Sequence, residues 1–197
     1  MTAAPRLTTR PLSAGNFADL EAIFNARGCS VARGCWCMYY RVTGKGAYTR
    51  PSESQRQLAH DALQALAAQD PPPGLIGYHG DTPVGWVSLG PREDYAKLRR
   101  SPAMKAVDDA AVWSIVCLVV PSAYRRQGVA RALLEGAVDY ARQRGVRLVE
   151  AYPVDKEKGG APEAPWFGSL AMFDELGFKE VARHQPARPI VRLKLAR

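Results

Sequence analysis

The chain has 197 residues, 47% of them hydrophobic and 23% charged, values that exclude intrinsic disorder and suit one globular domain spanning 1–197. At this length a folded chain buries roughly 70% of its extended surface. No apolar run approaches the ~18 residues that cross a bilayer, and the opening Met-Thr-Ala-Ala-Pro-Arg carries no apolar export signal, which predicts a cytoplasmic protein.

The net charge is +8, from 27 basic and 19 acidic residues. Arg183, Arg188, Arg192, Lys194 and Arg197 supply five of those charges, with no acid among residues 183–197. They read as a solvated basic edge, with a nucleic-acid-binding tail as the alternative. Four cysteines, Cys29, Cys35, Cys37 and Cys117, are too few for a disulfide scaffold. Cys35-Trp-Cys37 is a C-x-C, not the paired C-x-x-C of a zinc site. With Cys29 and His60 it is the one candidate metal cluster, and reduced, partly buried thiols are the favoured reading.

In chain order, Leu7 to Leu12 reads as a strand. Asn16 to Phe24 reads as a helix, because Phe17, Leu20, Ile23 and Phe24 recur at helical spacing. Gly28 to Gly46 is aperiodic and aromatic, a loop or broken helix. Ser52-Glu-Ser-Gln55 is a capping box opening a helix to about Gln69, with Leu58, Ala62, Ala65, Leu66 and Gln69 as its inner face. Leu75–His79 and Pro83–Leu89 flank Gly80-Asp81-Thr82 as a hairpin. Residues Pro91 to Asp109 are irregular, and Val112 to Val120 is apolar enough for a strand covered on both faces. Ala130, Leu133, Leu134, Ala137, Val138 and Ala141 form an apolar helical stripe with Gly145 at its end. Arg147–Tyr152, a helix from Gly168 to Leu176, and strands from Phe178 and Pro189 complete an α/β (α+β) order. His79 and His184 read as exposed.

Leu118-Val-Val-Pro-Ser-Ala-Tyr-Arg-Arg-Gln-Gly128-Val-Ala130 is the most informative stretch. A buried strand ends, a basic turn follows, and a glycine opens an amphipathic helix. Helix starts present unpaired N–H groups and a dipole worth about +0.5 charge, which suit phosphate oxygens. Gly128 and Ala130 permit close approach to the backbone, and Arg125, Arg126 and Arg131 add charge. Neither G-x-G-x-x-G nor G-x-x-x-x-G-K-[ST] is present, which disfavours dinucleotide and P-loop readings. An ordinary strand–turn–helix with solvated arginines is an equal alternative on these residues alone.

Arg125-Arg-Gln-Gly128-Val-Ala130 resembles the [Q/R]-x-x-G-x-[G/A] signature of the GCN5-related N-acetyltransferases (GNAT). The likeness extends to the opening strand and helix, the central hairpin, and Ser169-Leu-Ala-Met-Phe-Asp-Glu-Leu-Gly-Phe178 as the closing helix. It implies a mixed, mostly antiparallel central sheet with helices on both faces, and an acetyl-CoA-dependent transferase acting on a small-molecule or peptide amine. Leu118, Val119 and Val120 would line the pantetheine arm, and Arg125, Arg126, Gln127, Gly128, Val129 and Ala130 the diphosphate. Such proteins also form homodimers, though no element here declares an interface.

The chain departs from the family pattern at the closing helix. Phe173 stands where the resemblance implies a tyrosine acid, and Ser169 where it implies an asparagine, both at the cofactor site. Losing a general acid costs roughly 10²–10⁴ in rate. Period-2 alternation puts Leu148, Glu150 and Tyr152 on one strand face; if that face meets the cofactor cleft, Glu150 is the candidate base, directly or through water, and Tyr152 the candidate acid. The bland alternative pairs Glu150 with an arginine and packs Tyr152 in the core. Cys117 reads as a buried hydrophobe. Trp36, Tyr39, Tyr40 and Trp86 are the candidate acceptor-binding aromatics. A non-catalytic acyl-CoA-binding or sensing module of the same fold is the rival reading.

Overall fold

The computed structural model describes residues 7–42, 51–159 and 165–196, so the end of the predicted 28–46 loop lies outside the described residues. The elements are β1 (Leu7–Pro11), α1 (Phe17–Asn25), α2 (Ser30–Cys35), α3 (Glu53–Leu66), β2 (Gly74–His79), β3 (Thr82–Pro91), β4 (Trp113–Val119), α4 (Val129–Gln143), β5 (Leu148–Ala151), α5 (Leu170–Glu175), β6 (Lys179–Gln185) and β7 (Arg188–Lys194). The strands form one seven-stranded sheet in the order β1-β2-β3-β4-β5-β7-β6. Every pairing is antiparallel except β4 with β5. No described helix is long and apolar enough to cross a membrane.

Strand alternation divides the core between the two faces. Leu75, Val84, Val87 and Leu89 join the apolar stripe of α4 and Phe173 of α5 on one side. Ile76, Tyr78 and Trp86 join Phe17, Leu20, Ile23 and Phe24 of α1 on the other. Helix α4 lies so close on the hairpin that a Cβ at either Gly77 or Gly85 would stand 2.8 Å from a Leu133 methyl. Each fully buried leucine there contributes roughly 1.5–3 kcal/mol relative to exposure.

The capping box forms as read: Ser52 Oγ accepts from the Gln55 N–H at 3.2 Å, and Gln55 Oε1 accepts from the Ser52 N–H at 2.8 Å. The buried face of α3 differs from the expected one. Ala59 and Leu63 are inside, and Leu58 is 68% exposed. Small residues allow α3 to approach α2 and Trp36, so the helix turns its Ala59–Leu63–Ala67 stripe inward and leaves Leu58 out.

The basic C-terminal stretch is likewise no free tail among its described residues. It forms the β6–β7 hairpin, where Arg183 pairs with Asp155 and Glu180 and Arg192 is buried. Two of the charges offered for a polyanion are therefore neutralised within the fold.

Candidate active site

Strands β4 and β5 run parallel for three rungs only, Trp113 with Val149, Ser114 with Glu150, and Ile115 with Ala151. Beyond that point β4 continues beside β3 alone, past an irregularity opposite Ser88/Leu89. Its other edge, from Val116 onward, leaves the β5 ladder. Facing it, Val154 bridges to Ser169, and the Pro165–Phe167 turn follows the diverging strand. A parted pair of parallel strands leaves main-chain donors and acceptors in need of partners, which an extended ligand can supply.

The groove that opens there has a volume of about 340 Å³ and is lined by Leu118, Val120, Tyr124, Arg125, Arg126, Gly128, Val129, Ala130, Arg131, Trp166, Gly168 and Met172. At its far end Gly128 caps α4 with φ +78°. A Cβ at Gly128 would meet nothing within 4 Å, so open space lies above the first N–H groups of a 15-residue helix. Anions settle at such places because the donors are unpaired and the helix dipole is positive there.

The three arginines play different parts. Arg125 donates to the carbonyls of Val120 at 3.0 Å and Gly28 at 2.7 Å, bracing the turn. Arg131 is shared by Glu135 and Glu175. Arg126, exposed and at φ +61°, forms no ion pair among the described residues, which leaves its charge for a ligand.

Of the eleven residues read as cofactor contacts, Leu118, Val120, Arg125, Arg126, Gly128, Val129 and Ala130 line the groove. Val119 points the other way and is fully buried against Trp86's cluster. The Gln127 amide turns back to the Ala123 carbonyl. Ser169 lines a separate depression with Val154 and Asp174. Phe173 is fully buried, edge-to-face on Phe178 at 5.1 Å, a support beneath the groove. Tyr124, Trp166, Gly168 and Met172 were missed, because the turn carrying Trp166 has no periodicity that would place it.

Glu150 and Tyr152 require correction. Both are fully buried, and neither lines the groove. Glu150 accepts from Arg92 at 2.9 Å, Arg192 at 2.7 Å and the Tyr152 hydroxyl at 2.6 Å. Arg192 grips Asp108 with two further bonds, and Arg92 donates to the Met104 carbonyl. A carboxylate in that setting is a counterion: it carries the bend after β3 and the segment ending at Asp108 onto the sheet. Burial first, then the Glu150 charge, push the Tyr152 phenol well above its ordinary pKa, so it stays protonated and acts as a hydrogen-bond donor.

The acceptor aromatics also divide. Trp86 is fully buried, its indole N–H donating to Cys37 Sγ at 3.2 Å, and is core. Trp36 is only 6% exposed, edge-on to His60 at 4.6 Å beneath a polar cleft between α2 and α3. Tyr39 and Tyr40 stand edge-to-face at 4.9 Å, and Tyr40 meets Phe167 at 5.8 Å, next to the groove-lining Trp166. Lys97 Nζ lies 3.8 Å over Tyr39 and the Arg188 guanidinium 4.0 Å over Phe167.

Among the described residues no three Cys, His, Asp or Glu side chains form a group that could hold a metal ion. Burial pushes the Cys35 thiol up to about 12. The Cys117 side chain and then burial raise that of Cys37, so these thiols remain protonated.

A family model described as the acetyltransferase (GNAT) family matches residues 36–161. No curated protein matches the sequence. Among solved structures, an acetyltransferase of the GNAT family from Desulfovibrio desulfuricans superposes with a TM-score of 0.56 at 15% identity, over 97% of this chain and 100% of that one. An acetyltransferase from Thermus thermophilus gives 0.55 at 17%, over 98% and 99%. A Salmonella typhimurium acetyltransferase with its cofactor acetyl-CoA gives 0.53 at 18%, over 96% and 94%. At these identities the likeness is one of fold.

Proposed function

The chain belongs to the GNAT family of acetyltransferases, and from that premise we propose that it transfers an acetyl group from acetyl-CoA to a primary amine of a small molecule or peptide. The observation that carries this reading is the groove between the parted edge of β4 and the open N-terminus of α4 at Gly128. Its two ends suit the two halves of the cosubstrate: main chain for the amide-bearing arm, N–H groups and Arg126 for the diphosphate. When bound, acetyl-CoA supplies the thioester carbonyl as the electrophile.

The acceptor must lose a proton to attack, because an ammonium has no lone pair. As the N–C bond forms and the C–S bond breaks, one proton leaves the amine and one joins the thiolate. The described groove lining carries no carboxylate and no imidazole, and Phe173 is a buried phenyl. Water therefore takes the amine proton, and water or the Tyr124 hydroxyl returns one to the thiolate. A thiol with an ordinary pKa near 8.5 leaves acceptably without a side-chain acid. On this account kcat/KM rises about tenfold per pH unit up to the acceptor's own pKa, and an earlier plateau set by an enzyme group refutes it.

The test of the whole reading is the thermal midpoint of the protein against acetyl-CoA, with ATP as control, followed by thiol release on an amine panel. Ligand at 100 times its Kd stabilises by about 2.7 kcal/mol. No shift overturns the reading. A shift without transfer to any amine favours the binding or sensing module, the second reading that the missing acid at Phe173 supports.

A further inference from the structure

Six described arginines are not exposed: Arg41, Arg56, Arg92, Arg183, Arg188 and Arg192. Five of them form an ion pair with an aspartate or glutamate. Among the described residues Arg188 does not. Nor does Lys97, which is the one described lysine that is not exposed. A half-buried cation without a counterion is costly unless something else meets it.

The place where Arg188 sits gives the cost a purpose. It lies face-on to Phe167 at 4.0 Å and donates to the Tyr152 carbonyl at 3.2 Å. Tyr152 is the residue immediately after the last rung of β5, where the two parallel strands part. Phe167 sits between Trp166 and Gly168, both of which line the groove. Tyr40 packs on Phe167, and its main-chain carbonyl accepts from the Lys97 N–H at 3.0 Å. Burial lowers the Arg188 pKa, in keeping with a cation that lacks an acid. One bond to Tyr152 leaves most of the five guanidinium donors unused, and their planar fork matches a carboxylate.

We propose that the acceptor is an amine bearing a carboxylate, which Arg188 binds at the point where β4 and β5 part, with Lys97 adding positive potential behind the tyrosines. This deepens the transferase reading above and depends on it. Tyr40 and the part of the Phe167 ring that Arg188 leaves uncovered hold the carbon skeleton while the amine points along the groove. Arg188 touches the acceptor and not the thioester, so it governs which amine is chosen.

The test uses matched pairs: L-phenylalanine with phenethylamine, and β-alanine with ethylamine. 2-Aminoethylphosphonate and taurine separate a carboxylate from other anions. The readouts are kcat/KM and acceptor binding to the protein saturated with CoA, by calorimetry. The carboxylate member of each pair should exceed its partner at least tenfold in both. Arg188→Gln should remove that advantage chiefly through KM and leave the bare amine within about threefold, with Arg188→Lys between. The acetyl-CoA midpoint shift should be unchanged in both variants.

Equal use of amine and amino acid overturns the proposal, as does an equal loss on both members in Arg188→Gln, the mark of a structural role. Preference for the phosphonate or the sulfonate overturns the carboxylate assignment. If acetyl-CoA itself gives no shift, the transferase reading fails and this one with it; if the shift is present and the pairs do not differ, this one alone fails.

Discussion

Glu150→Gln separates a buried counterion from a catalytic base. The carboxylate is fully buried and bonded to two guanidinium groups and a phenol at 2.6–2.9 Å. The amide removes the charge and turns an N–H₂ toward donors that need an acceptor. Arg192 keeps Asp108. Arg92 loses its only carboxylate among the described residues, retaining the Met104 carbonyl and the Tyr152 hydroxyl. Breaking a buried ion pair from one side costs about 3–5 kcal/mol, a large share of the 5–15 kcal/mol that holds a typical domain folded. For a chain of this size each kcal/mol moves the midpoint by about 2–4 °C, so Tm should fall by about 6–20 °C. Thermal melts of the free protein measure this. Steady-state transfer to the best amine, at a temperature where the variant is folded, measures the rest. Activity within about threefold of wild type, with an unshifted pH profile, is the expected result. An unchanged melt with a 10²–10⁴-fold loss in kcat would make Glu150 the base after all and refute the reasoning.

Gly128→Val places a branched side chain into the space above the α4 N-terminus at φ +78°; acetyl-CoA affinity by calorimetry should drop at least tenfold, while the strained backbone costs about 1–2 kcal/mol in a urea melt. Leu63→Ala should cost about 2–5 kcal/mol, whereas Leu58→Lys, on the exposed face of α3, should change the same melt by less than about 0.5 kcal/mol. Burial alone would lower the His60 pKa, but the hydrogen bonds its ring donates to Asp61 and Glu21 outweigh it and raise it above 6.5. The protonated ring therefore stabilises the fold fully below pH 6.5, and that stability is lost as pH rises through the elevated value. Tm should decline on this limb in the wild type, and His60→Gln should flatten it; an identical slope in both proteins rules His60 out as the source.

Local features were legible because their physics is local. Ser52 and Gln55 cap α3 within three residues, and the α4 stripe repeats often enough to fix its face. Leu58 misled because α3 carries two adjacent stripes, and periodicity does not say which one meets α2. Glu150 was open to two readings for a different reason. Its arginines lie 58 residues before it and 42 after it, and only the sheet order brings them together. Trp86 has the composition of a pocket wall, yet what lies over it is Cys37, set by the chain path after α2. Arg188 was visible only as one charge in a basic stretch. What distinguishes it is the carboxylate it lacks among the described residues, and a missing partner leaves no trace in sequence.

The short ladder between β4 and β5 has a mechanical side. With three rungs, Trp113–Val149 to Ile115–Ala151, it is the place where prying the groove apart would tear the sheet, as a crack runs from its tip. The Ser114–Glu150 rung lies one step behind that tip, and there the buried carboxylate rivets three segments of chain. Parting β4 and β5 further would have to break the Ile115–Ala151 rung first and would then meet that carboxylate and its arginines. The resistance of the sheet to such a tear is thus concentrated in a charge cluster that lies outside the groove's lining.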